Sequence, residues 1–79
     1  MSDQTALRIR LVALMRDYGT TIMYIATETK IDRSQLNKFK LGKLFLEPHQ
    51  VQRLDQFLNE RGYKDTVKAF SALVQGSFN

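Results

Sequence analysis

Apolar residues recur at intervals of three and four along most of the chain, which is the spacing of one face of an α-helix. No run of four or more residues alternates apolar and polar side chains as a half-buried strand does. The pattern therefore predicts an all-α protein of five helices. Neither a repeat nor a linker interrupts it, so residues 1–79 are expected to form a single domain.

The first predicted helix covers about residues 3–18, with Ser2 as its N-cap and Gly19 at its end. Its inner face is expected to carry Leu7, Leu11, Leu14, Met15 and Tyr18. The second helix is expected to begin after Thr20 or Thr21 and to end near Thr29. The residues expected to point inward from this short helix are Ile22, Ile25 and Ala26.

Two further helices have clear start signals. Asp32 is expected to cap the third helix, with Gln35 at its third position, and Gly42 closes that helix. Its only large apolar residues pointing inward are Leu36 and Phe39. Glu47 is expected to cap the fourth helix, with Pro48 at its first position. The inner face of the fourth helix, which ends at Gly62, is expected to carry Val51, Leu54, Phe57 and Leu58.

The fifth predicted helix, at about residues 65–75, ends before Gly76. Its apolar residues are Val67, Phe70, Leu73 and Val74.

Length and composition exclude most enzyme classes. A chain of 79 residues buries only about 60–65 % of its unfolded surface, which leaves little room for an enclosed substrate cavity. Cysteine is absent, and the single histidine, His49, cannot form a histidine metal cluster. We expect no enzymatic activity, no metal and no cofactor.

No membrane or export segment is expected. The longest apolar runs, such as Leu11–Met15, have five residues, whereas a membrane-spanning helix needs roughly 18. They are also too short for the core of a signal peptide. We therefore expect a cytoplasmic protein that does not associate with membranes.

The net charge of +4 is concentrated in one short segment. The charges cancel in residues 1–29 and again in residues 44–79. In between, one acidic residue, Asp32, is opposed by Lys30, Arg33, Lys38, Lys40 and Lys43. A local basic excess on a neutral body is typical of a surface that binds a polyanion, and a solvated basic face is the alternative.

The second and third predicted helices, separated by a three-residue turn, form a helix-turn-helix arrangement. The stretch from Ile25 to Lys43 resembles the helix-turn-helix of the phage repressor and Cro family, called XRE-like in bacteria. The matching positions are Ile25, Ala26, Ile31, Asp32, Leu36, Phe39, Gly42 and Lys43. The resemblance covers about residues 5–60 and implies a compact, lambda-repressor-like bundle of five helices.

Three positions depart from the family pattern. Lys30 stands where the family has its turn glycine, so a left-handed backbone there would cost about 1–2 kcal/mol. Thr29 replaces an inward aliphatic residue, and Lys40 replaces a frequent glutamate. The lysine at position 30 could reach a phosphate.

The resemblance implies a regulator of transcription, of phage or mobile-element repressor type, that binds double-stranded DNA with its third helix in the major groove. The residues expected to contact bases are Arg33, Ser34, Asn37 and Lys38. Gln35 either caps its own helix or contacts a base. The residues expected to contact phosphates are Thr21, Ile22, Lys30, Lys40 and Lys43.

These residues also have simpler explanations. Arg33 and Lys38 could serve solubility, Asn37 could be an ordinary exposed residue, and Lys43 could satisfy the helix dipole. The aromatic residues Tyr24 and Phe39 are expected in the core and not against bases. Asp55 and Glu60 point about 140° apart on one helix, which argues against a paired-carboxylate site.

The family resemblance also implies a homodimer on inverted half-sites. The predicted dimer interface on the fifth helix and beyond it consists of Val67, Phe70, Val74 and Phe78. The alternative is that this helix closes the core of its own chain. A second class of function is a protein-interaction module on the same fold, such as an antitoxin, an anti-restriction protein or a host inhibitor, with a protein partner.

Overall fold

The computed structural model describes residues 4–63, and their regular structure is entirely α-helical. The helices are α1 (Thr5–Tyr18), α2 (Ile22–Thr29), α3 (Arg33–Lys40) and α4 (Pro48–Glu60). The predicted all-α class is confirmed for this part of the chain, which contains no strand. The predicted fifth helix, at 65–75, lies outside the described residues. None of the four helices is long and apolar enough to cross a bilayer.

The helices pack around one apolar core, in which α1 and α2 each contact both α3 and α4. The large side chains that are completely buried in this core are Leu11, Leu14, Ile25, Leu36, Phe39, Leu54 and Leu58. Each of them lies on an inner face predicted from the apolar spacing. Met15, Ile22 and Val51 are partly buried against the same core.

The prediction that α1 starts at residue 3 with a Ser2 cap is wrong, because the helix begins at Thr5 with Gln4 in the N-cap position. The buried Gln4 side chain does not cap the helix. Its Nε2 donates to the Leu46 carbonyl at 2.9 Å, and its Oε1 accepts from the Leu46 amide at 2.8 Å. This pairing ties the start of α1 to the loop before α4 across 42 positions of sequence.

Local signals set the other helix ends as predicted. The Thr21 hydroxyl accepts from the Tyr24 amide at 3.2 Å, and the Asp32 carboxylate accepts from the Gln35 amide at 3.1 Å. Gly42 follows α3 with a φ of 79°, and its amide donates to the Phe39 carbonyl at 3.0 Å. The contacts of Asp32 and Gly42 therefore define where α3 begins and ends.

Two tyrosines that were expected inside are exposed, and both predictions are wrong. Tyr18 ends α1 beyond the buried row of that helix and is 68 % exposed. It packs edge-on against Tyr63, with 6.1 Å between the ring centroids. Tyr24 follows Ile22 by two positions on α2, about 200° around the helix, and this rotation turns it away from the core.

Tyr63 also joins the end of the described chain to α1. Its hydroxyl donates to the Asp17 carboxylate. Partial burial, together with this hydrogen bond and the negative charge of Asp17, raises the pKa of the Tyr63 phenol above its ordinary value. The Tyr63 phenol therefore keeps its proton, and remains a donor, to a higher pH than an unperturbed tyrosine.

Lys30 has the left-handed backbone expected of the turn between α2 and α3, with a φ of 58°. It is the only residue other than glycine with a positive φ among residues 4–63. The turn is held by the Ile31 amide, which donates to the Ala26 carbonyl at 3.1 Å. The Arg53 guanidinium of α4 donates to the Lys30 carbonyl at 3.3 Å. The turn is therefore supported by α4 as well as by its own backbone.

Replacing Lys30 by glycine is expected to raise the free energy of unfolding by about 0.5–1 kcal/mol. Glycine removes the cost of a Cβ in the left-handed region, and this gain exceeds the added entropy of the unfolded chain. Urea denaturation of the purified variant measures the change. Lys30→Ala is the control, because it removes the charge but keeps the Cβ and should leave stability unchanged. A less stable glycine variant would contradict the assignment of strain to this residue.

Candidate nucleic-acid interface

Helix α3 presents a polar and basic face to solvent because two residues hold its other face in the core. Leu36 and Phe39 are completely buried three positions apart. The exposed side chains on the helix are the four expected to contact bases, namely Arg33, Ser34, Asn37 and Lys38. Because both anchors lie in the close-packed core, the four side chains project from a rigid support.

None of these four side chains is engaged elsewhere in the described part of the chain. Within residues 4–63, they form neither a side-chain hydrogen bond nor an ion pair. The carboxylate nearest to them in sequence, Asp32, accepts from the Gln35 amide at the helix start. Their donors and acceptors are therefore available to an external ligand.

Gln35 is oriented differently from the four exposed residues. It is half-buried, and its side-chain Oε1 accepts from Gln50 Nε2 of α4 at 3.1 Å. The Gln50 Oε1 in turn accepts from the Glu47 amide at 2.9 Å. Gln35 thus links α3 to the start of α4, and its side-chain oxygen is used within the fold. The predicted Asp32 cap of α3 is therefore formed without a contribution from the Gln35 side chain.

The start of α2 lies beside the exposed face of α3. A shallow, open depression is lined by Ile22, Arg33, Ser34 and Asn37. One residue expected to contact a phosphate therefore borders the same depression as three residues expected to contact bases. The adjacent Thr21 is exposed, although its hydroxyl already accepts from the Tyr24 amide.

The lysines around α3 keep their charge uncompensated. Lys30 and Lys43 are exposed and Lys40 is half-buried, and none of the three forms an ion pair within residues 4–63. No acidic residue occurs between positions 33 and 46. The basic side chains that carry the net charge of the chain thus lie on α3 or within three residues of it, and this basic region of the surface favours a polyanionic ligand.

Arg8 of α1 is a residue near this surface that sequence analysis did not identify. Its Nε donates to the Phe39 carbonyl at 2.9 Å, and its guanidinium carbon lies 5.5 Å from the centroid of the Phe39 ring. A cation beside the carbonyl end of α3 opposes the negative end of the helix dipole. Thirty-one positions separate the two residues, so no local pattern could reveal the contact.

The single histidine, His49, belongs to α4 and not to the basic helix α3. His49 is exposed on α4, with its Nδ1 at 3.5 Å from Glu47 Oε2. In the described part of the chain, no group of three or more histidine and acidic side chains is placed to hold a metal ion. The predicted dimer-interface residues lie outside the described residues and are Val67, Phe70, Val74 and Phe78.

No family model, curated protein or solved structure matches this chain.

Proposed function

We propose that this chain is a sequence-specific regulator of transcription that binds double-stranded DNA in the cytoplasm, as a repressor of phage or mobile-element type. It acts by binding alone and carries out no reaction. The observation that carries the proposal is the exposed face of α3, whose side chains have no partner within residues 4–63 and are Arg33, Ser34, Asn37 and Lys38. A single α-helix fits the major groove of B-DNA, which is about 12 Å wide.

The chemistry of these side chains suits base edges. The planar guanidinium of arginine can donate to two acceptors of guanine at once, whereas lysine donates to the same acceptors without a fixed fork. Asparagine can both donate to and accept from adenine. Such contacts require side chains that enter the groove in a fixed orientation. The burial of Leu36 and Phe39 supports this orientation, because α3 cannot rotate without exposing both of them.

Phosphate contacts would flank the base contacts. Lys40 and Lys43 lie at the end of α3 and just beyond it, and Lys30 lies in the turn before it. The amides at the start of α2, near Thr21 and Ile22, supply donors and the positive end of a helix dipole. Contacts of this kind place the protein on the duplex without selecting a sequence.

The arrangement of α2, the turn and α3 supports assigning the chain to the lambda-repressor-like family. The left-handed residue Lys30 occupies the position of the turn glycine of that family, and Thr29 replaces an aliphatic residue in a buried position. The Thr29 hydroxyl is satisfied there, because it donates to the Ile25 carbonyl at 2.7 Å. The chain would act as a homodimer through its predicted fifth helix.

Selection of bound sequences from a random duplex library tests this function. We expect recovery of a defined sequence arranged as inverted half-sites, since a homodimer carries two copies of α3 related by a twofold axis. The affinity for the selected duplex should exceed the affinity for random duplexes, and both should fall as the salt concentration rises. Recovery of no preferred sequence would contradict sequence-specific binding.

Replacing the lysines expected to contact phosphates tests the part of the binding that does not depend on sequence. Lys40→Ala and Lys43→Ala should each weaken binding to selected and random duplexes by the same factor. Each should also lower the slope of log affinity against log salt by about one unit, because one fewer counterion is released. Fluorescence anisotropy at several salt concentrations measures both quantities. The matched control is Lys64→Ala, which removes the same charge outside the basic segment and should leave the slope unchanged.

A protein-interaction module on this fold is the second candidate. Exposed aromatic side chains outside α3, Tyr18 and Phe45, favour it, since aromatic residues are enriched where proteins associate. A module that binds only protein would show little affinity for random or selected duplexes at any salt concentration, so the same titration separates the two functions.

A further inference from the structure

Leu41, the residue that follows α3, continues the path of the helix. Its φ of −82° and ψ of 0° are right-handed, and its amide donates to the Asn37 carbonyl at 3.0 Å. That bond joins residues four apart, as within an α-helix. The chain leaves this path only at Gly42, where φ becomes positive.

This geometry places Leu41 in one row with two residues expected to contact bases. Arg33, Asn37 and Leu41 are spaced four positions apart, and residues at this spacing lie above one another on one side of a helix. The row runs about 12 Å along the helix axis, from the first residue of α3 to the position after its last. Leu41 is thus the apolar end of an otherwise polar row.

Within residues 4–63, no packing contact accounts for the position of Leu41. The side chain is 56 % exposed and does not belong to the apolar core or to the residues packed against it. Lysines lie on both sides of it in sequence, at Lys40 and Lys43, and no acidic residue occurs between positions 33 and 46. An exposed apolar side chain among basic residues suits a ligand that is a polyanion and also carries an apolar group.

We propose that Leu41 contacts the C5-methyl group of a thymine in the major groove and thereby contributes to sequence preference. This proposal rests on the proposed DNA binding by α3. Thymine is the only base of DNA that presents a methyl group in that groove, and apolar side chains recognise it by contact. Leu41 supplies such a side chain at the end of a row whose other members offer hydrogen bonds.

Replacing thymine by deoxyuridine tests the contact, because the change removes only the methyl group and keeps every charge and hydrogen-bonding atom. The probe is the selected duplex with each thymine replaced singly. We expect one replacement to weaken wild-type binding about fourfold, the factor for burying one methyl group. Leu41→Ala should bind the thymine and deoxyuridine duplexes equally at that position. The difference should not change with salt concentration.

Met23→Ala is the matched control. Met23 is as exposed as Leu41, at 56 %, but belongs to α2. This variant should keep the fourfold difference between the two duplexes. If no thymine replacement affects the wild type, or if Leu41→Ala keeps the difference, the proposal for Leu41 is overturned while DNA binding stands. If the wild type binds no duplex, both proposals fail.

Discussion

Replacing Arg10 by alanine is expected to lower the free energy of unfolding by about 3 kcal/mol. Arg10 is only 7 % exposed, although it is a charged residue on α1. Its Nη1 donates to Asp55 Oδ1 at 2.6 Å and its Nη2 donates to Asn59 Oδ1 at 2.7 Å, both on α4. Its Nε donates to the carbonyl of Tyr63. One guanidinium therefore joins α1, α4 and the chain that follows α4.

The size of the expected loss follows from this geometry. Alanine removes a charge-assisted bond to a carboxylate, two further hydrogen bonds and the packing of the aliphatic stem. Removal of one partner from a fully buried ion pair costs about 3–5 kcal/mol, because a charge remains unpaired in the interior. The Asp55 side chain is 46 % exposed, so water can solvate it after the change, and the loss lies at the lower end of that range.

Urea denaturation at neutral pH measures the effect of Arg10→Ala. Arg33→Ala is the matched control, because it removes an exposed arginine without a partner in the described chain and should change stability by less than about 0.5 kcal/mol. Asp55→Asn keeps an acceptor for Arg10 but removes the charge. Its free energy of unfolding should therefore fall by less than that of Arg10→Ala and by more than that of Arg33→Ala. Equal losses for Arg10→Ala and Arg33→Ala would show that the network does not stabilise the fold.

The helices around α3 could be predicted from sequence because their signals are local. The Asp32 cap, the two inward residues Leu36 and Phe39, and the glycine after α3 all lie within eleven positions. Contacts between distant residues could not be predicted. Gln4 pairs with Leu46, and Arg10 pairs with Asp55, across more than forty positions. The spacing of apolar residues cannot indicate a buried arginine, because arginine counts as a polar residue in that pattern.

For similar reasons, only some residues of the candidate site could be predicted from sequence. The exposed face of α3 follows from helical geometry once its two buried residues are known, so Arg33 and Asn37 could be named from sequence. Leu41 was missed because apolar residues are expected to point inward. Leu41 lies eight residues after Arg33, and this spacing indicates that both residues lie on the exposed face of the helix. Gln35 could not be placed, because its partner Gln50 belongs to another helix.

Replacing Arg33 by alanine is expected to weaken binding to the selected duplex by about 5- to 150-fold, the range for a lost bidentate contact to guanine. Binding to random duplexes should fall much less, because only one charge is removed. Asn37→Ala should likewise reduce the preference for the selected duplex over random duplexes. It should leave the salt dependence of the affinity unchanged, since asparagine is neutral. Competition titrations of both duplexes at one salt concentration measure the two affinities for each variant.

Arg33→Lys separates base recognition from charge. Lysine keeps the positive charge but lacks the planar fork that donates to two acceptors at once. If Arg33 contacts a guanine, this variant should lose much of the preference for the selected duplex while the salt slope remains that of the wild type. If Arg33 only attracts the phosphate backbone, Arg33→Lys should bind both duplexes like the wild type. In that case sequence preference would have to come from the other exposed residues of α3.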